Sequence, residues 1–176
     1  MAALILLSLL FNPFIMPHRL VEFSESSATS WQVVNDGVMG GLSRGRFEVI
    51  DDGIAVFSGH VSLANNGGFS LVQHRLAPTS LSEHQRFVIR LRGDGKRYQF
   101  RVRAQGNDRH TYVAYFTTSG KWELIEIPFS ELYPNFRGRR LEMPGFSGQM
   151  LSEIGFLAGN KREEDFRLEL DWVEAR

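Results

Sequence analysis

The sequence predicts an all-β protein, an antiparallel β-sandwich or jelly roll. From Arg19 onward apolar and polar residues alternate with a period of two, and Gly, Asn, Asp and Pro break the alternation at short intervals. No helical stripes fall between the strands, as a parallel βαβ sheet would require. A chain of 176 residues suits one core, because folding at that length buries about 70% of the unfolded surface. The expected organisation is an apolar extension over residues 1–18 and one β-sandwich domain over residues 19–176.

In chain order, Leu20–Phe23, Trp31–Val34, Arg46–Ile50, Ile54–Leu63 and Phe69–His74 each read as a strand, with Asp51-Asp52-Gly53 as a turn. Helical turns are expected only at Ser80–Glu83, Ser130–Leu132 and Gln149–Glu153. Arg86–Ala104 reads as a hairpin. Phe87, Ile89 and Leu91 alternate with arginines before Gly93-Asp94-Gly95-Lys96, and Tyr98, Phe100 and Val102 alternate after it. A two-residue Asp94-Gly95 turn would pair Arg92 with Arg97 and set Arg86, Arg90, Arg92, Arg97, Arg101 and Arg103 on one cationic face. Like charges opposite one another on a sheet are unfavourable by a few tenths to about 1 kcal/mol per pair. The face therefore implies either neutralisation by Glu169, Asp171, Glu123 or Glu126, or an anionic partner.

Ala2–Met16 is apolar apart from Ser8, Asn12 and Pro13, but it has no basic start and no small-residue cleavage site. It is read as lying upstream of a true start at Met16, with a cytoplasmic location expected. A weak export signal or membrane tether is the alternative.

Lys plus Arg and Asp plus Glu both number 20, so no global charge draws the chain to nucleic acid or to an anionic membrane. The absence of cysteine excludes disulfides, thiolate nucleophiles and Cys-ligated metals. Gly41-Leu42-Ser43-Arg44-Gly45 matches the pattern of a hydrolase nucleophile elbow, yet a strand rather than a helix follows. Its glycines are instead expected to permit a tight loop with positive φ, and Ser43→Ala is expected to do little. The five histidines are scattered singly, and Asp51-Asp52 and Glu163-Glu164-Asp165 read as solvated turns, so neither metal nor cofactor is expected. Tyr133–Gly148 reads as a long irregular segment in which Phe136, Arg137 and Arg139 either engage a partner or cap an open end of the sandwich.

Asn35, Asp36, Gly37, Met39, Gly40, Gly41 and Ser43 lie in a stretch, from Val34 to Ser43, that resembles the opening signature of the complex I intermediate-associated protein 30 family. The resemblance continues in order through Asn66-Gly67-Gly68-Phe69-Ser70, Arg92-Gly93-Asp94-Gly95 to Tyr98, Trp122 with Ile127-Pro128-Phe129, Phe136–Arg139, and Ile154-Gly155-Phe156 to Asp171-Trp172. It implies a galactose-binding-like jelly roll. It also implies a non-catalytic assembly factor or chaperone of bacterial type, with subunits or assembly intermediates of respiratory NADH:ubiquinone oxidoreductase as protein partners. Membrane contact would come only through such a partner or the N-terminal extension. A carbohydrate-binding module is the alternative, one that calls for exposed aromatic platforms beside polar groups.

Overall fold

Alternation becomes strand wherever it runs for four residues or more, because a pleated strand sends successive side chains to opposite faces. The computed structural model describes residues 16–50 and 53–176. Its elements are β1 (His18–Glu22), α1 (Glu25–Ala28), β2 (Trp31–Asn35), β3 (Arg44–Ile50), β4 (Ile54–Val61), β5 (Ser70–Thr79), β6 (Arg86–Arg92), β7 (Arg97–Arg103), β8 (Thr111–Thr117), β9 (Trp122–Pro128), β10 (Tyr133–Phe136), β11 (Arg139–Arg140), β12 (Leu151–Ala158) and β13 (Glu164–Ala175). Short 3-10 turns occupy Asp36–Met39, Ala64–Asn66 and Phe129–Glu131. Residues 1–15 of the expected 1–18 extension and the turn residues Asp51 and Asp52 lie outside the described residues.

The strands form two antiparallel sheets. One is six-stranded, in the order β3-β4-β13-β6-β9 with β1 also on β13, and the other is seven-stranded, in the order β11-β10-β8-β7-β12-β5-β2. This is the expected sandwich. The core lies between the sheets, where Phe87, Ile89 and Leu91 of β6 meet Tyr98, Phe100 and Val102 of β7, none more than 1% exposed. The Phe87 ring sits 5.0 Å from Phe100, 4.8 Å from Phe129 and 5.8 Å from Phe146. At the other end Trp31 packs against Phe23, Phe47 and Phe156.

The expected β6–β7 hairpin does not form. β6 pairs with β13 and β9, whereas β7 pairs with β12 and β8, so the chain crosses from one sheet to the other between Arg92 and Arg97. Asp94 is the reason. Its carboxylate accepts from the Lys96 and Arg167 backbone amides, the Lys96 ammonium and the Tyr98 hydroxyl, which anchors the segment to β13. Gly93 packs so close to Thr118 that a Cβ would collide with it. The inward set Phe87, Ile89, Leu91, Tyr98, Phe100 and Val102 is as expected; these residues meet across the core rather than side by side.

Two more expectations are corrected. Gln149–Glu153 is not a helical turn, since β12 begins at Leu151 and is central in its sheet. Tyr133–Gly148 is not wholly irregular, because β10 adds to β8 and returns as β11 through Arg137 and Gly138, both with positive φ (50° and 79°). Asn135 Oδ1 closes that turn on the Gly138 amide at 3.2 Å. The remainder of the segment sends Phe146 into the core against Phe129.

Replacing Phe87 with Ala should cost about 3–5 kcal/mol in denaturant unfolding, since it opens a cavity among three rings that cannot all collapse into it. Leu124→Ala, on the outer face of the six-stranded sheet and 52% exposed, should stay within about 0.5 kcal/mol.

Candidate functional site

The crossover divides the arginines expected on one face. Arg86, Arg90 and Arg92 lie on the outer face of the six-stranded sheet, and Arg97, Arg101 and Arg103 lie on the outer face of the other. On the first, carboxylates answer each guanidinium: Arg86 meets Glu126 at 3.3 Å, Arg92 Nε meets Glu169 at 2.7 Å, and Arg90 pairs with Asp171. Trp122 lies beneath Arg90 and Arg92. This face is a neutral lattice. On the seven-stranded sheet Arg103 pairs with Glu153 at 3.1 Å, while Arg101 has no carboxylate at ion-pair distance among the described residues.

The family-like stretches meet at Asp36, which is completely buried. Its carboxylate accepts from the Ser43 amide at 3.0 Å, the Ser43 hydroxyl, the Gly68 amide at 2.6 Å and the Phe69 amide at 3.3 Å. Burial by itself would raise the carboxyl pKa, but these hydrogen bonds outweigh it and leave the group below the usual aspartate value of 3.8. Asn35 makes a parallel tie, its Oδ1 accepting from the Gly45 amide and the Ser70 hydroxyl. The glycines follow from this packing. A Cβ on Gly41 or Gly67 would strike the Asp36 side chain, and one on Gly45 would strike Ser70. Among Gly40, Gly41 and Gly45, only Gly40 has the expected positive φ, +85°, so close approach rather than backbone conformation accounts for the other two. Gly37 meets nothing. Ser43 is part of this scaffold, since it also accepts the Ser62 amide at 3.0 Å, and the expectation that its loss would do little is therefore corrected.

The other concentration of polar groups is on the outer face of the seven-stranded sheet. Arg101 Nη1 donates to Gln99 Oε1 at 2.9 Å and Nη2 to Thr111 Oγ1 at 2.8 Å. Gln99 Nε2 donates to the Tyr115 hydroxyl at 3.1 Å. Arg97 stacks on Tyr115 at 4.6 Å and Arg140 on Tyr133 at 4.8 Å. Arg139 is exposed in β11 at the edge of this sheet, and Phe136 carries Arg109 and Arg137 on its ring. The structure thus places Arg97, Arg101 and Arg103 in the same sheet as the Phe136, Arg137 and Arg139 segment, although the register turns Phe136 and Arg139 to the opposite face from Arg101, and separates them from Arg86, Arg90 and Arg92. Thr111 and Tyr115 were missed in the sequence. The alternation of Thr111, Val113 and Tyr115 was the available signal.

Among the described residues no group of three or more His, Asp or Glu side chains could hold a metal ion. No helix among them is long and apolar enough to cross a membrane.

Fold and surface together define a jelly-roll β-sandwich with a polar sheet face. Family 11 carbohydrate-binding module from Clostridium thermocellum, solved with a β-1,3-1,4-mixed-linked tetrasaccharide, is similar with a TM-score of 0.64 at 16% identity, covering 90% of this chain and 94% of that one. A family 29 carbohydrate-binding module matches with a TM-score of 0.52 at 6% identity, over 91% of this chain and 88% of its own. These likenesses concern the fold alone. The chain belongs to the complex I intermediate-associated protein 30 family, whose model matches residues 21–170. The mitochondrial protein of that name from Drosophila melanogaster is 25% identical over 168 residues, covering 81% of this chain and 57% of the relative. The one from Mus musculus is 26% identical over 99 residues, covering 52% and 30%. The chain therefore spans little more than half of the first relative and under a third of the second.

Asp36→Asn replaces a charged acceptor by an amide whose NH₂ must face N–H donors, so it should cost at least about 2 kcal/mol by chemical denaturation. The wild-type carboxyl titrates lower when folded than when unfolded. Its contribution is thus complete above the unfolded value, declines as pH falls below it, and is lost once pH passes the folded value. The variant should show a flatter loss of stability over that acidic range.

Proposed function

We propose that this chain is a non-catalytic protein-binding domain that acts as an assembly factor or chaperone for respiratory NADH:ubiquinone oxidoreductase. The observation that carries this reading is the family match over residues 21–170, supported at the same level by relatives named for complex I intermediates. The residues of the opening signature serve the scaffold: Asp36, Ser43, Gly41 and Gly67 form one buried knot. Recognition then falls to the outer faces that this scaffold holds in place. Ser43, the residue with a hydrolase-like setting in the sequence, shares its hydroxyl with Asp36 and Ser62, which supports the non-catalytic reading.

Carbohydrate binding is the second reading, favoured by the fold of the solved modules. It is weakened by what covers the aromatic rings. Guanidinium groups lie on Trp122, Trp172, Tyr115 and Tyr133, where a sugar would stack.

Affinity capture from host membranes with the full chain, read by mass spectrometry, should enrich subunits of NADH:ubiquinone oxidoreductase over a Phe87→Ala control. Failure to enrich them, together with specific binding on a glycan array, would replace the assembly reading by the carbohydrate one.

A further inference from the structure

We propose that the outer face of the seven-stranded sheet, centred on Arg101, binds an extended acidic segment of a partner polypeptide. This deepens the protein-binding reading above and rests on it.

Charge is distributed unevenly over the two outer faces. On the six-stranded sheet Arg19, Arg46, Arg86, Arg90, Arg92, Arg167 and Arg176 each pair with a carboxylate, and among the described residues only the exposed Arg44 of β3 does not. On the seven-stranded sheet Glu153 is shared by Arg103 and Arg75, while Arg97, Arg101 and Arg140 have no carboxylate at ion-pair distance among the described residues. Arg101 is the most demanding of these. It is half-buried, and the side-chain groups that accept its hydrogen bonds, Gln99 and Thr111, are neutral. A guanidinium withdrawn from water needs a counter-charge, and an arginine has N–H groups beyond those two to offer one. Burial above all draws its pKa below the ordinary arginine value, with the Arg103 cation acting in the same direction and Glu153 against it.

The geometry suits an extended chain. Arg101 lies between Val113 on one side and Gly155 on the other, and the register continues from Gly155 to Gln73 and from Gln73 to Gln32. Gly155 is itself buried, with Gln73 Cβ and Leu71 Cδ1 each 3.3 Å from where its own Cβ would stand. Val113 is buried although it belongs to this outer face rather than the core. The floor beside Arg101 is therefore packed on both sides, by Val113 on one and by Gly155 with Leu71 on the other. The amides of Gln73 and Gln32 can each donate and accept, which suits the alternating N–H and C=O groups of a polypeptide backbone. Arg97 and Arg140 cover the Tyr115 and Tyr133 rings, so these rings do not offer a bare stacking platform, and their cations add to the attraction for carboxylates. Both features favour an acidic peptide over a sugar.

The test uses the full chain and a fluorescently labelled oligoglutamate peptide, with oligoglutamine and polygalacturonate as comparison probes. Oligoglutamate should bind at low salt, weaken as salt rises, and lose roughly tenfold or more in affinity with Arg101→Gln. Arg44→Gln, at a surface pocket on the opposite sheet, should leave binding unchanged. A thermal melt accompanies each variant. Should Arg101→Gln unfold, the exposed pair Arg97→Gln and Arg140→Gln decides the question, with the same weakening expected. Absence of oligoglutamate binding, or binding indifferent to these arginines, overturns the proposal. Tighter binding of polygalacturonate through Arg101 overturns it in favour of an acidic glycan. Capture of respiratory subunits equally by wild type and Arg101→Gln overturns this surface but leaves the assembly reading intact. Arg101-dependent binding of oligoglutamate without capture of any respiratory subunit upholds the surface and removes the assembly reading.

Discussion

One buried carboxylate organises the end of the sandwich where the family-like motifs converge. Asp36 is out of contact with water, and its donors are backbone amides and a serine hydroxyl rather than a cation. Amides can serve a charge in this way only if they are fixed, so the connection from β2 to β3 and the one from β4 to β5 must be held in a single conformation. Glycine is required where the backbone closes on the carboxylate, at Gly41 and Gly67, because any Cβ there would displace it. Stretches some thirty residues apart in the chain, around Asp36 and around Gly67 and Gly68, are parts of one knot.

Asp94 applies the same device at the crossover. Its carboxylate is held by Lys96, Tyr98 and the Arg167 amide, and so carries the chain from one sheet to the other. The consequence reaches the surface. A hairpin at this point would have placed all the arginines of β6 and β7 side by side, with the repulsion that implies. The crossover instead sends half of them to a face where β13 supplies Glu169 and Asp171, and half to a face where Glu153 is the nearest counter-charge. A chain with no net charge acquires one balanced face and one cationic face by the path of its backbone alone.

Much of the fold was legible in the sequence because the relevant physics is local. Period-two alternation told which residues of β6 and β7 point inward, and Phe87, Ile89, Leu91, Tyr98, Phe100 and Val102 all do so. Turn chemistry was less dependable. Asp94-Gly95 suits a tight hairpin, and only the distant Arg167 amide and Thr118 side chain decide against it. Pro134 disguised β10, since proline weakens a strand reading; it is tolerated because β11 pairs only with Asn135 and Phe136, which leaves Pro134 paired on the β8 side alone.

The candidate face was the least legible part. Arg101 was visible as an outward arginine, but its hydrogen bond to Thr111, and that of its partner Gln99 to Tyr115, arise from the pairing of β7 with β8. What the sequence by itself determined is the all-β class, the inward set of side chains and the family motifs. The tertiary structure decided which strands share a sheet, and hence which arginines share a face and which of them meet a carboxylate. Alternation fixes the side on which a residue lies and says nothing about its neighbour, because the neighbour is supplied by a strand far away in the chain.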